Sequence, residues 1–170
     1  MRSAAGVGPQ RRVLPPRGLF FSLAAQVPAI VWSWPLHFNP ILIVLATMLA
    51  TLGITLNLTA VHDFARHRVS VPPFGETPQL VVRGPYRFSR NPMYLGLVAL
   101  SATPVVGTGV WWNAYALIVY WAWLHFSYVR PEEVFLRRKF GAAFDNYALQ
   151  TPRWLFFKGS AHTTSRADRP

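Results

Sequence analysis

Four long apolar stretches, separated by short turns or polar segments, dominate the hydrophobic pattern of this chain. They cover residues 18–34, 40–61, 93–110 and 112–129. Each stretch reaches or approaches the roughly 20 helical residues that cross the hydrocarbon core of a bilayer. The pattern therefore predicts an all-α integral membrane protein with about four transmembrane helices, arranged as two hairpins.

The distribution of positive charge gives these helices an orientation. The 17 Lys and Arg residues precede the first stretch, lie between the second and third, or follow the fourth, and the two short turns contain none. Positively charged loops stay on the cytoplasmic side of a membrane. We therefore expect a multi-pass protein of a bacterial inner membrane or an ER-like membrane, with both termini cytoplasmic. The other end would carry an aromatic belt of Trp32, Trp34, Trp111 and Trp112.

The composition narrows the class of protein further. Only 14% of the 170 residues are charged and 52% are hydrophobic, whereas soluble domains carry about 25% charged residues. The absence of cysteine excludes disulfides, thiolate zinc sites and a cysteine nucleophile. The five histidines are too dispersed to predict a metal site. The net charge of +11 comes without an RNA- or DNA-binding pattern, so we expect membrane lipids as partners and no nucleic acid.

Polar sequence flanks a single membrane domain, which we place at residues 17–158. Residues 1–16, rich in Arg, Gly and Pro, and the tail 159–170 are predicted to be disordered. The first apolar stretch could instead be a secretory signal peptide, because arginines precede it. Pro28 and Trp32 fit a cleavage region poorly, so we favour a retained helix.

The loop between the second and third stretches is rich in Pro and Gly and ends in the string GPYRFSRNPMYLG, from Gly84 to Gly96. Its prolines rule out a continuous helix. Gln79–Arg83 is predicted to be extended, and a turn at Gly84-Pro85 would present Tyr86. This cytoplasmic loop is the first of two polar segments that point to a site.

The end of this loop combines two arginines with a helix start. Arg87 and Arg90 are three residues apart, so they could share one face of a short helical turn; the alternative is that they only flank the membrane. Asn91-Pro92 ends the turn, with Pro92 at the first position of the third helix. Free amides at such a helix start, together with the helix dipole, favour an anionic group.

The second polar segment follows the fourth stretch and reads RPEEVFLRRKFG. Pro131 is predicted to begin a new helix, with Glu132 and Glu133 in its first turn, where negative charge is favourable. An apolar stripe recurs at helical spacing at Leu136, Phe140, Phe144 and Tyr147. This stripe predicts a C-terminal helix that lies in the membrane interface or covers the hairpin ends. Taken alone, the two glutamates are dipole partners, but they lie at the same membrane level as Arg90 and Asn91.

Taken together, the two segments resemble the isoprenylcysteine carboxyl methyltransferase family and, more broadly, the small integral-membrane methyltransferases that include phospholipid methyltransferases. The likeness covers Leu80 to Trp154. Its motif residues are Gly84, Pro85 and Tyr86; Arg90, Asn91, Pro92, Met93, Tyr94, Leu95 and Gly96; Glu132 and Glu133; Phe140, Gly141, Phe144 and Tyr147; and Arg153 with Trp154. The resemblance implies a cofactor, S-adenosylmethionine, held by the segments 79–96 and 130–154.

The resemblance also assigns residues to roles. The cofactor contacts would be Gln79, Leu80, Val81, Tyr86, Asn91, Pro92, Met93, Tyr94, Glu132 and Tyr147. Arg90, Glu132 and Arg130 would be catalytic, and Arg90, Arg130 and Arg153 would bind an anionic group of the substrate. Three positions depart from the pattern: Asn91 where eukaryotic members have histidine, Phe144 for a tyrosine, and Tyr128 for an arginine. The last departure bears on the substrate more than on the cofactor.

The expected reaction is transfer of a methyl group to a lipophilic acceptor that arrives from the bilayer, by resemblance the carboxylate of an isoprenylcysteine. An alternative with the same architecture is a phospholipid or other lipid N-methyltransferase. A third, of another class, is a small non-enzymatic multi-span membrane protein whose arginines only set its topology. The sequence leaves the acceptor, the methylated atom and the oligomeric state open.

Overall fold

The computed structural model describes residues 15–34, 39–66 and 80–155, and in these ranges every regular element is a helix. The α-helices are α1 (Pro15–Trp32), α2 (Pro40–Arg66), α3 (Pro92–Thr108), α4 (Ala114–Leu124), α5 (Arg130–Phe140) and α6 (Ala142–Gln150). Short 3₁₀ turns occupy Gly84–Arg87 and Trp111–Asn113, and a π-helical turn occupies His125–Val129. The predicted all-α class is confirmed.

Prolines and glycines set the helix ends close to their predicted positions. Pro40 and Pro92 open α2 and α3, where a proline loses no helical hydrogen bond. Asn39 caps α2, since its side-chain oxygen accepts a hydrogen bond from the Ile41 amide at 2.9 Å. Gly109 ends α3 with φ +67°, a left-handed conformation that glycine adopts without strain.

Helices α2 and α3 form an antiparallel pair through a close glycine contact. A Cβ on Gly53 would lie 2.8 Å from the Gly96 carbonyl oxygen, and one on Gly96 would collide with the Asn57 side chain. Small residues of this kind let helix backbones approach within a membrane. Near the end of the pair, the Gly84 turn packs so closely on Asp63 of α2 that a side chain there would collide with its carboxylate.

Helix α1 packs on α3 and α4. The Ser22 and Ser101 hydroxyls are 2.7 Å apart, and the Gln26 side-chain amide donates to the Ser101 carbonyl oxygen at 3.1 Å. Such polar contacts hold helices together where lipid provides no hydrophobic driving force. The predicted hairpin of α1 and α2 therefore needs a correction. Helix α2 packs most extensively on α3, which was predicted to be the first helix of the other hairpin.

The fourth predicted stretch does not end at residue 129. Helix α4 continues through the π-helical turn into α5 with right-handed helical backbone at each junction. Pro131 lies in the first turn of α5, as predicted, but it interrupts nothing, because the wider π turn before it accommodates a residue without an amide hydrogen. Because α5 continues from α4, it has no free backbone amides at its first turn. Glu132 and Glu133 therefore do not simply compensate the dipole of a helix start. The single predicted C-terminal helix is two helices, divided at Gly141 with φ +52°.

One helix in the described ranges, Pro40–Asp63, is long and apolar enough to cross a membrane by length and composition. Only 11% of its most apolar window is buried, so it is not the core helix of a soluble fold. Helix Pro92–Thr108 is also apolar but shorter. The number of spans therefore stays a prediction. So does the disorder of residues 1–14 and 159–170, which lie outside the described ranges, whereas Pro15 and Pro16 already belong to α1.

The helix directions separate two ends of the bundle. Antiparallel α2 and α3, and antiparallel α1 and α4, bring the start of α1, the Gly84–Arg87 turn, the start of α3 and the start of α5 to one end. We call this the basic end, because it carries Arg17, Arg83, Arg90 and Arg130. The exposed Trp32, Trp111 and Trp112 lie at the opposite end. The basic end is where the two motif segments meet.

Candidate active site

Two residues from distant motif segments form the centre of the site. The Tyr94 hydroxyl, at the first turn of α3, donates a hydrogen bond to Glu132 Oε2, at the start of α5, over 2.9 Å. Tyr94 is buried, and Glu132 is half-buried. The expectation that the segments 79–96 and 130–154 converge at one end of the bundle is met by this contact.

Glu132 has an unusual environment for a carboxylate. Burial raises the pKa of its carboxyl group, the neighbouring Glu133 raises it further, and the hydrogen bond from Tyr94 acts in the opposite direction. An uncompensated buried carboxylate is costly in free energy. A positively charged ligand next to Glu132 would therefore favour its ionised form.

Two further tyrosines lie near Tyr94 and Glu132. The Tyr128 ring, from the π-helical turn, lies 6.2 Å from the Tyr94 ring. Tyr86 is buried as well; burial raises the pKa of its phenol, and the charge of Glu132 raises it further, so the two groups act on each other electrostatically. The π turn sets the position of Tyr128, and such turns are frequent at functional sites.

Glu133, the next residue along the chain, faces a different set of groups. Its carboxylate accepts three hydrogen bonds from Arg153: Nε donates to both oxygens at 3.0 Å, and Nη2 donates to Oε2 at 2.6 Å. Arg90 Nη1 lies 3.2 Å from Oε1. The Arg90 and Glu133 side chains are only 5% and 7% exposed. Burial lowers the pKa of the Arg90 guanidinium, while Glu133 opposes that shift. We call this group the Glu133 triad; it carries one net positive charge.

Backbone and side-chain hydrogen bonds fasten the loop before α3 to the segment after α6. The Arg153 carbonyl oxygen accepts from Asn91 Nδ2 at 3.0 Å and from the Ser89 hydroxyl at 3.1 Å. The Arg90 amide donates to the Pro152 carbonyl oxygen at 2.9 Å. Asn91 therefore uses its side-chain amide to hold the C-terminal segment in place.

A second fastening joins the Tyr86 turn to α6. The Tyr147 hydroxyl donates to the Tyr86 carbonyl oxygen at 2.7 Å. Phe144, which replaces a tyrosine of the family pattern, is 1% exposed and packs its ring against Tyr147. The Phe144 ring fills this buried space without a hydroxyl group.

The remaining predicted residues lie beside the site, apart from it, or outside the described residues. Val81 packs with Tyr86 and Met93 in a small apolar cluster beside the site, with Leu80 half-buried before it. Pro92 is buried at the start of α3. The exposed Arg130 lies apart from the triad, with its guanidinium 5.7 Å from the centre of the Phe126 ring. Gln79 lies outside the described residues.

Sequence reasoning missed two contributions to the site. The sequence assigns a site role to Glu132 and none to Glu133, although Glu133 joins the two arginines, and it does not single out Ser89. The adjacent glutamates in RPEE were the only signal for the first. The second depends on a contact between residues 64 positions apart, for which the sequence offers no local sign.

The residues at Glu132 suit a cationic, partly aromatic ligand. A buried carboxylate next to aromatic faces attracts a sulfonium or an ammonium group through charge and cation–π contacts. Across 15–34, 39–66 and 80–155, no three His, Asp or Glu side chains lie close enough together to hold a metal ion. The Glu132 carboxyl group and its tyrosine neighbours are of a kind that fits S-adenosylmethionine, which is cationic at sulfur and at its amino group.

Comparison with known proteins gives one result. The family model described as phospholipid methyltransferase matches residues 41–143, more than half of the chain. No curated protein and no solved structure matches the chain. The family consists of membrane methyltransferases, so the resemblance drawn from the motifs is confirmed at that level. This chain belongs to the phospholipid methyltransferase family.

Proposed function

We propose that this protein transfers the methyl group of S-adenosylmethionine to a lipid acceptor at the cytoplasmic face of a membrane. The observation that carries the proposal is the hydrogen bond between Tyr94 and Glu132, which joins the two motif segments around one half-buried carboxyl group. The family match supports methyl transfer to lipids. The donor supplies an activated methyl group on a sulfonium sulfur.

The residues around Glu132 have distinct tasks in this proposal. Glu132 binds a positively charged part of the donor, and its ionised form is stabilised when that charge arrives. Tyr86, Tyr94 and Tyr128 offer aromatic faces to the purine or the sulfonium, each contact being worth up to about 2 kcal/mol when water is excluded. Transfer from a sulfonium is an in-line displacement, so the protein mainly has to position the partners and keep water out.

The acceptor would be oriented by positive charge. The Glu133 triad retains one net positive charge, and Arg153 is 37% exposed, so it is accessible to an anion. Arg130 adds a second exposed cation on the same side. Both the phosphate of a phospholipid and the carboxylate of a prenylated cysteine fit this charge.

We place the phospholipid first, with the amine of its headgroup as the methylated atom, because the matching family is named for such lipids. The headgroup amine must first give its proton to water at the membrane surface; its nitrogen then bonds to the methyl carbon as the carbon–sulfur bond breaks and the uncharged thioether leaves. A carboxylate acceptor needs no such deprotonation. The isoprenylcysteine carboxylate, supported by the motif resemblance, is the second candidate. In either case the protein would cross the membrane four times with the basic end and both termini in the cytoplasm, as the one-sided arginines indicate.

The direct test is methyl transfer by the purified protein in lipid vesicles. Methyl-labelled S-adenosylmethionine would be added to vesicles that contain phosphatidylethanolamine, or to vesicles with a farnesylated cysteine, and the labelled product identified by mass spectrometry. We expect label on the ethanolamine nitrogen, reduced about 100-fold in Glu132→Gln. Label on the prenylcysteine carboxylate alone would select the second candidate. No labelled lipid in either vesicle would contradict the proposed function and favour the non-enzymatic alternative.

A further inference from the structure

One continuous helix extends the fourth apolar stretch past the edge of the hydrocarbon. Helix α4, the π-helical turn and α5 follow each other with right-handed helical backbone from Ala114 to Phe140. At about 1.5 Å per residue this helix is about 40 Å long, whereas the hydrocarbon core of a bilayer is about 30 Å thick. Since α4 starts at the tryptophan end of the bundle, the part outside the hydrocarbon is α5, at the basic end.

A single row of side chains follows the outer surface of this helix. Each member comes four residues after the previous one, so consecutive members are neighbours on the helix surface. All of them are exposed, except for one half-buried alanine. The row consists of Ile118, Ala122, Phe126, Arg130, Val134 and Arg138.

The row changes from apolar to basic within one helical turn. Ile118 and Phe126 are 61% and 58% exposed, as side chains that face lipid would be. The next member, Arg130, has its guanidinium 5.7 Å from the centre of the Phe126 ring. An exposed apolar surface that ends in an aromatic ring and an arginine is typical of the border between hydrocarbon and headgroups. We call Arg130, Val134 and Arg138 the basic row.

The positive charges of the basic row are not compensated by the protein. Among residues 15–34, 39–66 and 80–155, neither Arg130 nor Arg138 forms an ion pair. Arg137 differs from its neighbour Arg138 in this respect, because its guanidinium lies 2.7 Å from a carboxylate oxygen of Asp145. Two exposed guanidiniums, about 12 Å apart along the helix, can therefore each bind an anion.

We infer that the basic row binds the phosphates of anionic phospholipids in the leaflet at the basic end. The row continues a surface that faces lipid, so its ligand lies at the depth of the headgroups, where phosphate is the abundant anion. A lipid with a net negative charge fits two uncompensated arginines better than a zwitterionic lipid, whose ammonium group opposes the attraction of its phosphate. Neither the donor nor the acceptor of the proposed reaction is this ligand.

The depth of the two arginines favours lipid over an acidic protein as the partner. The headgroup layer adds roughly 5–8 Å on each side of the hydrocarbon. Arg130, next to the lipid-facing Phe126, would lie within this layer, and Arg138 would lie at its outer surface. An acidic protein segment in the cytoplasm could reach Arg138 but not Arg130. Lipid phosphates can reach both.

The basic row is separate from the proposed donor site, although both use α5. Glu132 follows Arg130 by two residues, which places it on roughly the opposite side of the helix, where its carboxyl group contacts Tyr94. Arg138 has no role in the proposed function. A substitution of Arg138 therefore tests the basic row without altering a residue assigned to the donor or the acceptor.

Two adjacent cations allow a matched test. Arg138 belongs to the basic row and Lys139 does not, yet both are exposed in the last turn of α5. Lys139 Nζ instead lies 5.8 Å from the centres of the Phe135 and Phe140 rings. Arg138→Gln and Lys139→Gln remove the same charge from neighbouring positions. Because both side chains are exposed, both variants should fold like the wild type.

The measurement is the apparent dissociation constant of full-length protein for phosphatidylglycerol and for phosphatidylcholine with the same acyl chains, determined by native mass spectrometry in a non-ionic detergent. We expect the wild type to bind phosphatidylglycerol at least about fivefold more tightly than phosphatidylcholine. Arg138→Gln should weaken phosphatidylglycerol binding about fivefold, and Lys139→Gln less than about twofold. Val134→Glu, which places a carboxylate between the two arginines, should weaken it at least as much as Arg138→Gln.

Three results would overturn the inference. The first is equal affinity of the wild type for the two lipids, and the second is an equal loss in Arg138→Gln and Lys139→Gln. The third is binding of a polyglutamate peptide that depends on Arg138 while the preference for phosphatidylglycerol does not, which would assign the row to an acidic protein partner.

The outcome is independent of the proposed function. In vesicles of phosphatidylethanolamine and phosphatidylcholine, Arg138→Gln should transfer methyl groups at the wild-type rate, with an unchanged dissociation constant for S-adenosylmethionine. If the wild type transfers no methyl group, the proposed function fails, whereas the lipid-binding measurement still decides whether the basic row binds anionic lipid. If transfer occurs and phosphatidylglycerol is not preferred, only the inference about the basic row fails.

Discussion

Two adjacent glutamates divide the basic end into regions of opposite character. Glu133 is surrounded by Arg90 and Arg153, which neutralise its charge and pair with both of its oxygens. Glu132 has one hydrogen bond from a neutral tyrosine, aromatic neighbours and a carboxyl pKa raised by burial. Two adjacent residues of the same type on one helix thus differ: Glu133 lies in a buried ion-pair cluster, whereas Glu132 forms no ion pair with the described residues.

This difference distinguishes a residue that holds the segments of the fold together from one that is expected to bind a ligand. The Glu133 region holds together the loop before α3, the start of α5 and the segment after α6. Both oxygens of Glu133 are paired with its two arginines, although the buried Arg90 Nε has no hydrogen-bond partner among the described residues. Glu132 forms no ion pair with the described residues, and burial raises the pKa of its carboxyl group. Such perturbed groups concentrate at functional sites, so Glu132 is the residue that a cationic donor would stabilise.

The largest expected effect comes from removing the charge of Glu133. Glu133→Gln leaves the Arg90 guanidinium buried without its anion, and breaking a buried ion pair in this way costs about 3–5 kcal/mol. We expect a loss of that size in the free energy of unfolding, measured by denaturant titration in detergent. Glu132→Gln is the matched control and should not lose stability at pH 7. Equal losses in both variants would remove the distinction between the two regions.

A smaller loss is expected when the fastening of the C-terminal segment is weakened. Asn91→Ala removes the hydrogen bond to the Arg153 carbonyl oxygen and should lower the free energy of unfolding by about 1–2 kcal/mol. The Tyr94–Glu132 contact should stay in place, so affinity for S-adenosylmethionine should fall less than in Glu132→Gln. Binding as weak in Asn91→Ala as in Glu132→Gln would show instead that Asn91 contacts the donor directly.

The raised pKa of Glu132 predicts a pH dependence with a definite sign. Because the folded state favours the protonated carboxyl, the stability associated with this group is complete below its unfolded pKa of about 4.3 and is lost as pH rises through the folded value. Between pH 7 and pH 5, wild-type thermal stability should therefore rise relative to that of Glu132→Gln. A difference that stays constant over this range would contradict the raised pKa.

The mildest substitution removes one hydroxyl. Tyr94→Phe keeps the aromatic face but loses the hydrogen bond to Glu132, so it leaves the charge that binds the donor. We expect affinity for S-adenosylmethionine to fall only about three- to tenfold, since a hydrogen bond to a charged group is worth roughly 1.5 kcal/mol at the low end. Fluorescence or calorimetric titration would measure it. A loss as large as that of Glu132→Gln would mean that Tyr94 itself carries the binding.

Local signals made much of the fold predictable. Apolar length, together with the prolines at 40 and 92, located the starts of α2 and α3 and the end of α3 to within a few residues, but not the end of the helix that begins at Ala114. The packing partner of α1 was not predictable in the same way, because it depends on the Ser22–Ser101 contact between residues far apart in the chain. The π-helical turn has no sequence signature of its own, since its wider backbone is set by what packs around it.

The site was predictable as a set of residues but not as two regions. The motifs named Tyr94 and Glu132, and the structure brings them into contact. They also named Arg90 and Arg153 as substrate-binding residues, and whether these residues bind an anion besides Glu133 stays a prediction. The distinction between Glu132 and Glu133 required the direction of each side chain on a helix that continues from α4, which sequence alone does not fix.

The most direct measurement of the central claim is the dissociation constant of S-adenosylmethionine for wild-type protein and Glu132→Gln, determined by titration calorimetry in detergent at pH 5 and pH 7. If the ionised carboxylate binds the donor's positive charge, wild-type affinity should be higher at pH 7 than at pH 5, with proton release on binding, and Glu132→Gln should bind at least about 100-fold more weakly without that pH dependence. Equal dissociation constants for the two proteins at both pH values would contradict the account.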